Sequence, residues 1–305
     1  MIGERRFEEA GGHGGPTDGV VSLRPRERTR EAQIAFSVEA EGRRVGEVDV
    51  TIREDIGLLD WALYAGATGR GYATRALRLL CDHAFGELDL YRVEARIDPD
   101  NRRALRLASR VGLRREGIVR ARHDRSASSE YVILGRLASD PPITDPEGFR
   151  ALLNATLPRK RAIAQLLVRD PAQRILLCQL TYKHDWDLPG GVVEPGESPH
   201  LGASREAHEE LGLVLRPGRL LVADWLPPWS GWDDALCLMF DGGMLDAAAP
   251  DRMTLATKEI RSVAFCTMEQ VERLAADFTY RRVATALATL ANPGPGAAYT
   301  QSGRT

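Results

Sequence analysis

The sequence predicts two folded units of mixed α and β structure joined in one chain of 305 residues. Three observations carry this. Short runs of alternating apolar residues interleave with runs of helical spacing on both sides of residues 138–160. That middle stretch, ASDPPITDPEGFRALLNATLPRK, opens with prolines and turn residues, as a domain boundary does. The length also suits two hydrophobic cores better than one.

Residues 1–20 are rich in glycine and charge, carry GGHGGP, and read as a disordered tail in which His13 is solvated. The first unit, 21–138, opens on a strand at Val21 to Arg24. Ile34 to Val38 alternates, EGRR turns, and Val45 to Ile52 alternates again, which makes a hairpin. Gly57 to Tyr64 is a third strand. Tyr72 to Phe85 sets Ala76, Leu79, Leu80, His83 and Ala84 at helical spacing. Tyr91 to Ile97 is a strand, and Asp100 or Asn101 caps a helix that stops at Gly112. Short strands near Gly117 to Arg120 and Glu130 to Leu134 complete the unit. Residues 139–160 read as a linker with a short helix at Phe149 to Ala155.

The second unit, 161–291, begins with strands at Ala162 to Val168 and Arg174 to Leu180, joined by the turn DPAQ. Leu220 to Trp225, Ala235 to Phe240 and Ile260 to Cys266 are further strand-like runs. Met268 to Ala276 and Tyr280 to Leu290 are amphipathic helices. Residues 292–305, NPGPGAAYTQSGRT, read as a second loose tail.

Composition narrows the function classes. Net charge is −2, so no overall field argues for a nucleic-acid or membrane surface. No apolar run reaches the length of a membrane span, and the N-terminus lacks a signal-peptide core. The four cysteines, Cys81, Cys178, Cys237 and Cys266, lie far apart in apolar runs. They read as buried thiols of a cytoplasmic protein, not as disulfides or a zinc site. The cations are almost all arginine, which reads as codon usage in a GC-rich, bacterial genome.

In the first unit, Thr68-Gly69-Arg70-Gly71-Tyr72-Ala73 lies between a strand and a helix. Two glycines let the backbone turn tightly and present N–H groups at the positive end of the helix, where a diphosphate binds well. A plain strand-to-helix loop is the bland alternative. With GYAT and DPDNRRALRLASRVGLRREG, this unit resembles the GNAT N-acetyltransferase superfamily, whose motif is Q/R-x-x-G-x-G/A. Gly71 and Ala73 match its last two positions, and Thr68 stands where Gln or Arg is usual. The resemblance implies a mixed sheet with helices and acetyl-CoA as ligand or co-substrate. Gly69, Arg70, Gly71, Tyr72 and Ala73 would lie at the pyrophosphate and Asn101 at the pantetheine arm. One departure bears on activity. Only about ten residues follow the opening strand before the hairpin, too few for the two helices that wall the acceptor site in the family. Glu94 and Asp60 are candidate bases, and structural acids are the alternative for both.

The second unit is organised around Gly191 to Leu213, GVVEPGESPHLGASREAHEELGL. Glu206, Glu209 and Glu210 are at i, i+3 and i+4, so a helix over Ser198 to Leu211 sets them on one face. Three carboxylates at that spacing repel, and a hard divalent cation relieves them. Arg205 and Glu197 can pair and brace loop to helix. The alternative is a solvated acidic face. The stretch fits G-x5-E-x7-R-E-U-x-E-E-x-G-U at every charged and glycine position, so the unit resembles the Nudix hydrolases. That implies an α/β/α sandwich. It also implies Mg²⁺ or Mn²⁺ on Glu206, Glu209 and Glu210 near the Gly191 carbonyl, and cleavage of a nucleotide-linked or related pyrophosphate by water. A box glutamate or Glu259 would be the base, with a surface charge the alternative for Glu259.

Trp229 and Trp232 in DWLPPWSGWDD are placed to stack on a nucleobase, whereas Trp225 reads as core. Lys183, His184 and Asp185 could touch a ligand's rim, with a solvated loop the favoured reading, and His200 and His208 read as exposed. The expectation is therefore a pyrophosphate hydrolase fused to an acetyl-CoA unit that transfers acetyl to an amine. Two rivals remain. In one, only the hydrolase is catalytic, which the short acceptor region favours. In the other, acetyl transfer is regulated by a nucleotide-binding second unit, which the intact glutamate set opposes.

Overall fold

The computed structural model describes residues 15–27, 32–124, 127–292, 294 and 296–305, with the backbone alone over 121–124 and 127–129. The chain divides into two compact units, residues 1–158 and 159–305. The sequence reading for residues 1–14, including His13, lies outside the described residues.

The first unit is a seven-stranded mixed sheet. Its strands are β1 (Val21–Arg26), β2 (Gln33–Ala40), β3 (Arg43–Arg53), β4 (Ile56–Leu63), β5 (Arg92–Ile97), β6 (Arg114–Asp124) and β7 (Ala127–Leu137). Their order across the sheet is β1-β2-β3-β4-β5-β7-β6. Strands β1 to β4 are antiparallel neighbours in chain order, as alternating runs with short turns require. Strands β4 and β5 are parallel and pair only over Ile56–Leu58 with Arg92–Glu94. Beyond that contact both strands continue unpaired to each other, so the sheet opens between their C-terminal ends.

Helix α1 (Tyr72–Gly86) supplies the crossover between β4 and β5. It buries Ala76, Leu77, Leu80, Cys81 and Ala84 with Val21, Leu23, Val38, Val48, Val50 and Val93 of the sheet. Helix α2 (Arg102–Arg110) starts at Asn101, whose Oδ1 accepts the Ala104 N–H at 3.1 Å. Strands β6 and β7 run to 11 residues each, longer than their apolar cores suggest. Antiparallel pairing with each other carries them outward.

Helix α3 (Pro146–Thr156) belongs to the first unit and packs on β6, so residues 139–158 are not a free linker. Residues 15–20 are likewise not a loose tail. Asp18 accepts the N–H groups of Val20 and Val21 and pairs with Arg75 at 2.7 Å.

The second unit is an α/β/α sandwich. Its strands are β8 (Arg161–Arg169), β9 (Ile175–Leu180), β10 (Gly190–Val192), β11 (Leu220–Leu226), β12 (Ala235–Met244), β13 (Ile260–Cys266) and β14 (Ala298–Gln301). The order is β13-β9-β8-β12-β11-β14, with β10 antiparallel to β8. Alternation along the strands sets the layers. Ala164, Leu166, Val168, Leu176, Cys178 and Leu180 meet Ala203, Ala207 and Leu211 of helix α4 (Pro199–Leu211). Leu167, Ile175 and Leu177 face the other way. They meet Val271 of helix α5 (Met268–Leu274) and Val283 and Ala286 of helix α6 (Asp277–Ala291).

Strand β14 corrects the expectation of a loose C-terminus. It pairs in parallel with β11, and Thr300 and Gly303 both donate to buried Asp224. All four cysteines are free and buried, as small apolar side chains. Among the described residues no helix is long and apolar enough to cross a membrane.

Candidate functional site

Helix α4 is fixed at both ends by local chemistry. Ser198 Oγ accepts the Leu201 N–H, Pro199 occupies the first turn, and Gly212 closes the helix in a left-handed conformation. The helix then carries Arg205, Glu206, Glu209 and Glu210 in register, from exposed Glu209 through half-buried Arg205 and Glu206 to buried Glu210.

Arg205 is the hub. Its Nε donates to Glu197 Oε1 at 2.9 Å and its Nη2 to Glu197 Oε2 at 3.1 Å. The same Nη2 reaches the Val192 carbonyl at 3.1 Å. Nη1 donates to Glu206 Oε1 at 3.0 Å and to Glu209 Oε2 at 2.8 Å. Glu197 also accepts the Glu194 N–H. Hydrogen bonding from Arg205, then from Glu194, holds the Glu197 carboxyl below its usual range. The fork thus ties loop 192–197 to the helix at two points.

Glu210 and Glu206 converge on the glycines. Glu210 is buried, and its Oε2 accepts the Gly190 N–H at 3.0 Å. Burial pushes its carboxyl up to about 8. The Gly190 bond opposes the shift, and the charges of Glu206, Asp187 and Glu259 add to it. Glu206 is raised as well, by burial first, against Arg205 and with Glu209 and Glu259.

Both glycines are required here. Gly190 has φ +132°, and a Cβ there would collide with the Ala164 carbonyl. A Cβ on Gly191 would stand 2.6 Å from the Glu206 carboxyl carbon.

Glu259 joins this group through the backbone. The Ala256 N–H donates to the Glu210 carbonyl, and the Glu259 N–H to the Ala256 carbonyl. Its charge acts on both Glu206 and Glu210. Glu209 stays outside, more than half exposed beside Arg205.

Among the described residues, no three His, Cys, Asp or Glu side chains are already gathered as a metal cage. The donor set nonetheless suits a divalent cation. Two carboxylates raised by burial and by the charges of neighbouring acids lie on the same helix as a third, all of them hard oxygen ligands.

Sequence reasoning missed the neighbours of this group. Lys183, expected to be solvated, pairs with Asp187 at 2.6 Å, and Asp187 accepts from Gln165 at 2.9 Å. Burial works to raise Asp187, but Lys183 and Arg282 hold it below the usual carboxylate range. The available signal was the apposition of Asp187 to the Pro189-Gly190-Gly191 turn. His200 and His208 are both exposed, and His200 also donates from Nε2 to the Pro217 carbonyl and packs edge-on to Phe240. Trp229 and Trp232 stack at 6.4 Å and are 43% and 54% exposed, and Trp225 is half-buried.

In the first unit, Gly69 and Gly71 adopt φ +83° and +79°, and the turn delivers Tyr72 and Ala73 into the first turn of α1. The N–H groups there have no intrahelical acceptor. A groove of about 560 Å³ adjoins this end, lined in part by Gly71, Thr74, Arg75, Arg78 and Arg110. Arg70 pairs with Glu41 at 3.4 Å, and the buried Tyr72 donates its hydroxyl to Glu41 at 2.7 Å. Asn101 spends Oδ1 on its cap. Glu94 is paired with Arg92 at 2.8 Å, and Asp60 accepts the Trp61 N–H at 2.8 Å. Six residues, 27–32, join β1 to β2, which leaves no room for two helices.

Comparison with known proteins sorts the two units. The NUDIX domain model matches residues 158–287 and the acetyltransferase (GNAT) domain model matches residues 17–114. Probable N-acetyltransferase YjcK of Bacillus subtilis is 32% identical over 98 residues, 31% of this chain and 54% of that protein. Mouse diphosphoinositol polyphosphate phosphohydrolase 3-alpha is 37% identical over 78 residues, 25% of this chain and 42% of that protein. CMP-5'-(N-acetyl-N-hydroxy-3-aminopropyl)phosphonate hydrolase of Streptomyces rubellomurinus is 37% identical over 84 residues, 25% of this chain and 38% of that protein. The chain thus spans about half the length, or less, of each curated relative it matches. The first unit carries a GNAT acetyltransferase domain and the second a Nudix domain, fused in one chain.

Proposed function

We propose that the second unit hydrolyses a pyrophosphate bond in a nucleoside-diphosphate-linked or related small molecule, with Mg²⁺ or Mn²⁺. The observation that carries this reading is the convergence of Glu206 and Glu210 on Gly190 and Gly191, braced by Arg205. Glu206, Glu209 and Glu210 would hold the cation, with Glu206 and Glu209 turning from Arg205 toward it. When bound, the cation neutralises charge on the phosphate oxygens.

The chain's own residues do the rest. Arg205 and Glu197 keep the helix and loop in register, so that the carboxylates keep their spacing. In this reading Glu259, linked to Glu210 through the Ala256 backbone, would take a proton from the attacking water, and a box glutamate is its rival. The exposed Trp229 and Trp232 offer a stacking surface to a nucleobase. The relatives' names, which include a hydrolase of a CMP-linked phosphonate and a diphosphoinositol phosphohydrolase, support the phosphorus-anhydride class.

The first unit, in this reading, binds acetyl-CoA with its pyrophosphate at the N–H groups of Gly69 to Ala73. A binding role without acetyl transfer is the second reading. It is favoured by the six-residue β1–β2 connection and by the Arg92 pairing of Glu94.

Two assays test these assignments. Incubation with Mg²⁺ or Mn²⁺ and a panel of nucleotide sugars, dinucleotides, damaged nucleotides and CoA should give phosphate-containing products from at least one member. No turnover of any member contradicts the hydrolase reading. Calorimetry should show acetyl-CoA binding that is lost in Gly71→Glu, and no binding by the unmodified chain removes CoA from the account.

A further inference from the structure

One cation beside the glutamates takes no part in the Arg205 brace. Lys183 follows β9, and its ammonium donates to Asp187 Oδ2. Its side chain is 36% exposed, against 16% for Asp187. All three guanidinium nitrogens of Arg205 already donate to Glu197, Glu206, Glu209 or the Val192 carbonyl. A lysine ammonium carries three donors, and Asp187 takes one.

Lys183 is also held at the rim of the glutamate group. The Thr181 N–H donates to the Glu259 carbonyl at 2.8 Å, and Thr181 Oγ1 to the Lys258 carbonyl at 2.7 Å. This zips the segment before Lys183 to the turn that carries Glu259. Asp187 stands three residues before Gly190, whose N–H holds Glu210.

Behind Asp187 runs a buried chain of hydrogen bonds. Gln165 Nε2 donates to Asp187 Oδ1 at 2.9 Å. Gln165 Oε1 accepts from Arg282 Nη1 at 2.8 Å and from Cys237 Sγ at 3.3 Å. Arg282 Nε donates to Asp224 Oδ2 at 2.9 Å. Asp224 Oδ1 accepts from Thr300 Oγ1 at 2.7 Å and from the Gly303 N–H at 2.9 Å. Gln165, Arg282, Asp224 and Thr300 are each 4% exposed or less. The order of charges permits one arrangement of the Gln165 amide, with NH₂ toward the carboxylate and oxygen toward the guanidinium. Such a chain costs desolvation and gives back fixed geometry. Arg282 Nη2 lacks a partner among the described residues, and the end of the chain that reaches solvent is Lys183.

We propose that Lys183 binds a phosphate oxygen of the ligand at the glutamate site, and that Asp187, Gln165, Arg282 and Asp224 position it from β14. The assignment rests on the pyrophosphate reading above. A phosphate beside three glutamates needs positive charge on its other side, and an ammonium is a suitable point charge for it. Lys183 then bridges Asp187 and the phosphate without leaving its loop.

The test is calorimetric binding of inorganic pyrophosphate to the full chain with Mn²⁺. Lys183→Met should weaken pyrophosphate about tenfold or more. Lys183→Arg should recover part of that loss, and Mn²⁺ affinity without pyrophosphate should stay unchanged in Lys183→Met. Gln165→Met should weaken pyrophosphate less. Combined with Lys183→Met it should add little, because it acts through that lysine. Thr300→Val, at the far end of the chain, supplies a milder version should Gln165→Met fail to fold. Unchanged pyrophosphate affinity in Lys183→Met overturns the lysine assignment alone. Full additivity of Gln165→Met, or of Thr300→Val, with Lys183→Met overturns the positioning chain. No binding by the unmodified chain overturns this assignment together with the reading beneath it.

Discussion

Arg205 grips Glu197 through two N–H groups, at 2.9 and 3.1 Å, and by that grip joins loop 192–197 to the middle of α4. A lysine has the charge but not the planar fork. Arg205→Lys should therefore leave α4 folded, by circular dichroism, and lower kcat/KM at least about tenfold. Activity equal to the unmodified chain would show that the brace does not set the carboxylate geometry.

Gly190 and Gly191 are adjacent but should fail differently. Gly190→Ala forces a side chain onto backbone at φ +132°, and should cost about 1–3 kcal/mol in urea unfolding. Gly191→Ala meets only the movable end of Glu206, at 2.6 Å. It should leave the urea midpoint nearly unchanged and weaken Mn²⁺ binding. Equal loss of stability in the two variants would contradict the close approach of Glu206.

Glu210 gives the metal-free protein a pH signature. Its carboxyl stands at about 8 when folded, against an ordinary 4.5. The folded state therefore binds more protons than the unfolded state between those values, and stability falls as pH rises. The contribution is whole below about pH 4.5 and is lost by about pH 8. Urea midpoints without metal should fall from pH 5 to pH 8, and Glu210→Gln should flatten that trend. Added Mn²⁺ should restore stability at pH 8. A flat profile in the unmodified chain would contradict the burial of this carboxylate.

Asp224 and Arg282 form a fully buried pair at 2.9 Å. Asp224→Ala leaves the guanidinium uncompensated and frees Thr300 and Gly303, at a cost of about 3–5 kcal/mol in urea unfolding. A loss below about 1 kcal/mol would mean that β14 is held by its backbone ladder alone.

The sequence shows what is local. The glutamates of α4, their Ser198 and Gly212 ends, and the Gly69–Gly71 turn follow from spacings within one helix or one loop. The Glu197–Arg205 contact spans eight residues and is legible for the same reason. Distant partners leave no such trace. Arg282 meets Gln165 across 117 residues, and Thr300 meets Asp224 across 76. The stretch NPGPGAAYTQSGRT has the composition of a loose end, and Ala298–Gln301 and Gly303 within it are held by pairing with β11 and by Asp224. Lys183 looked solvated because Asp187 and Gln165 meet only through the fold.

Hydrolysis in ¹⁸O-labelled water, with Mn²⁺ and a substrate from the panel, tests the central claim most directly. The account predicts label in one phosphate product of the unmodified chain, and at least about a hundredfold less in Glu210→Gln or with the metal chelated. Label formed equally fast by Glu210→Gln, or without metal, would contradict it.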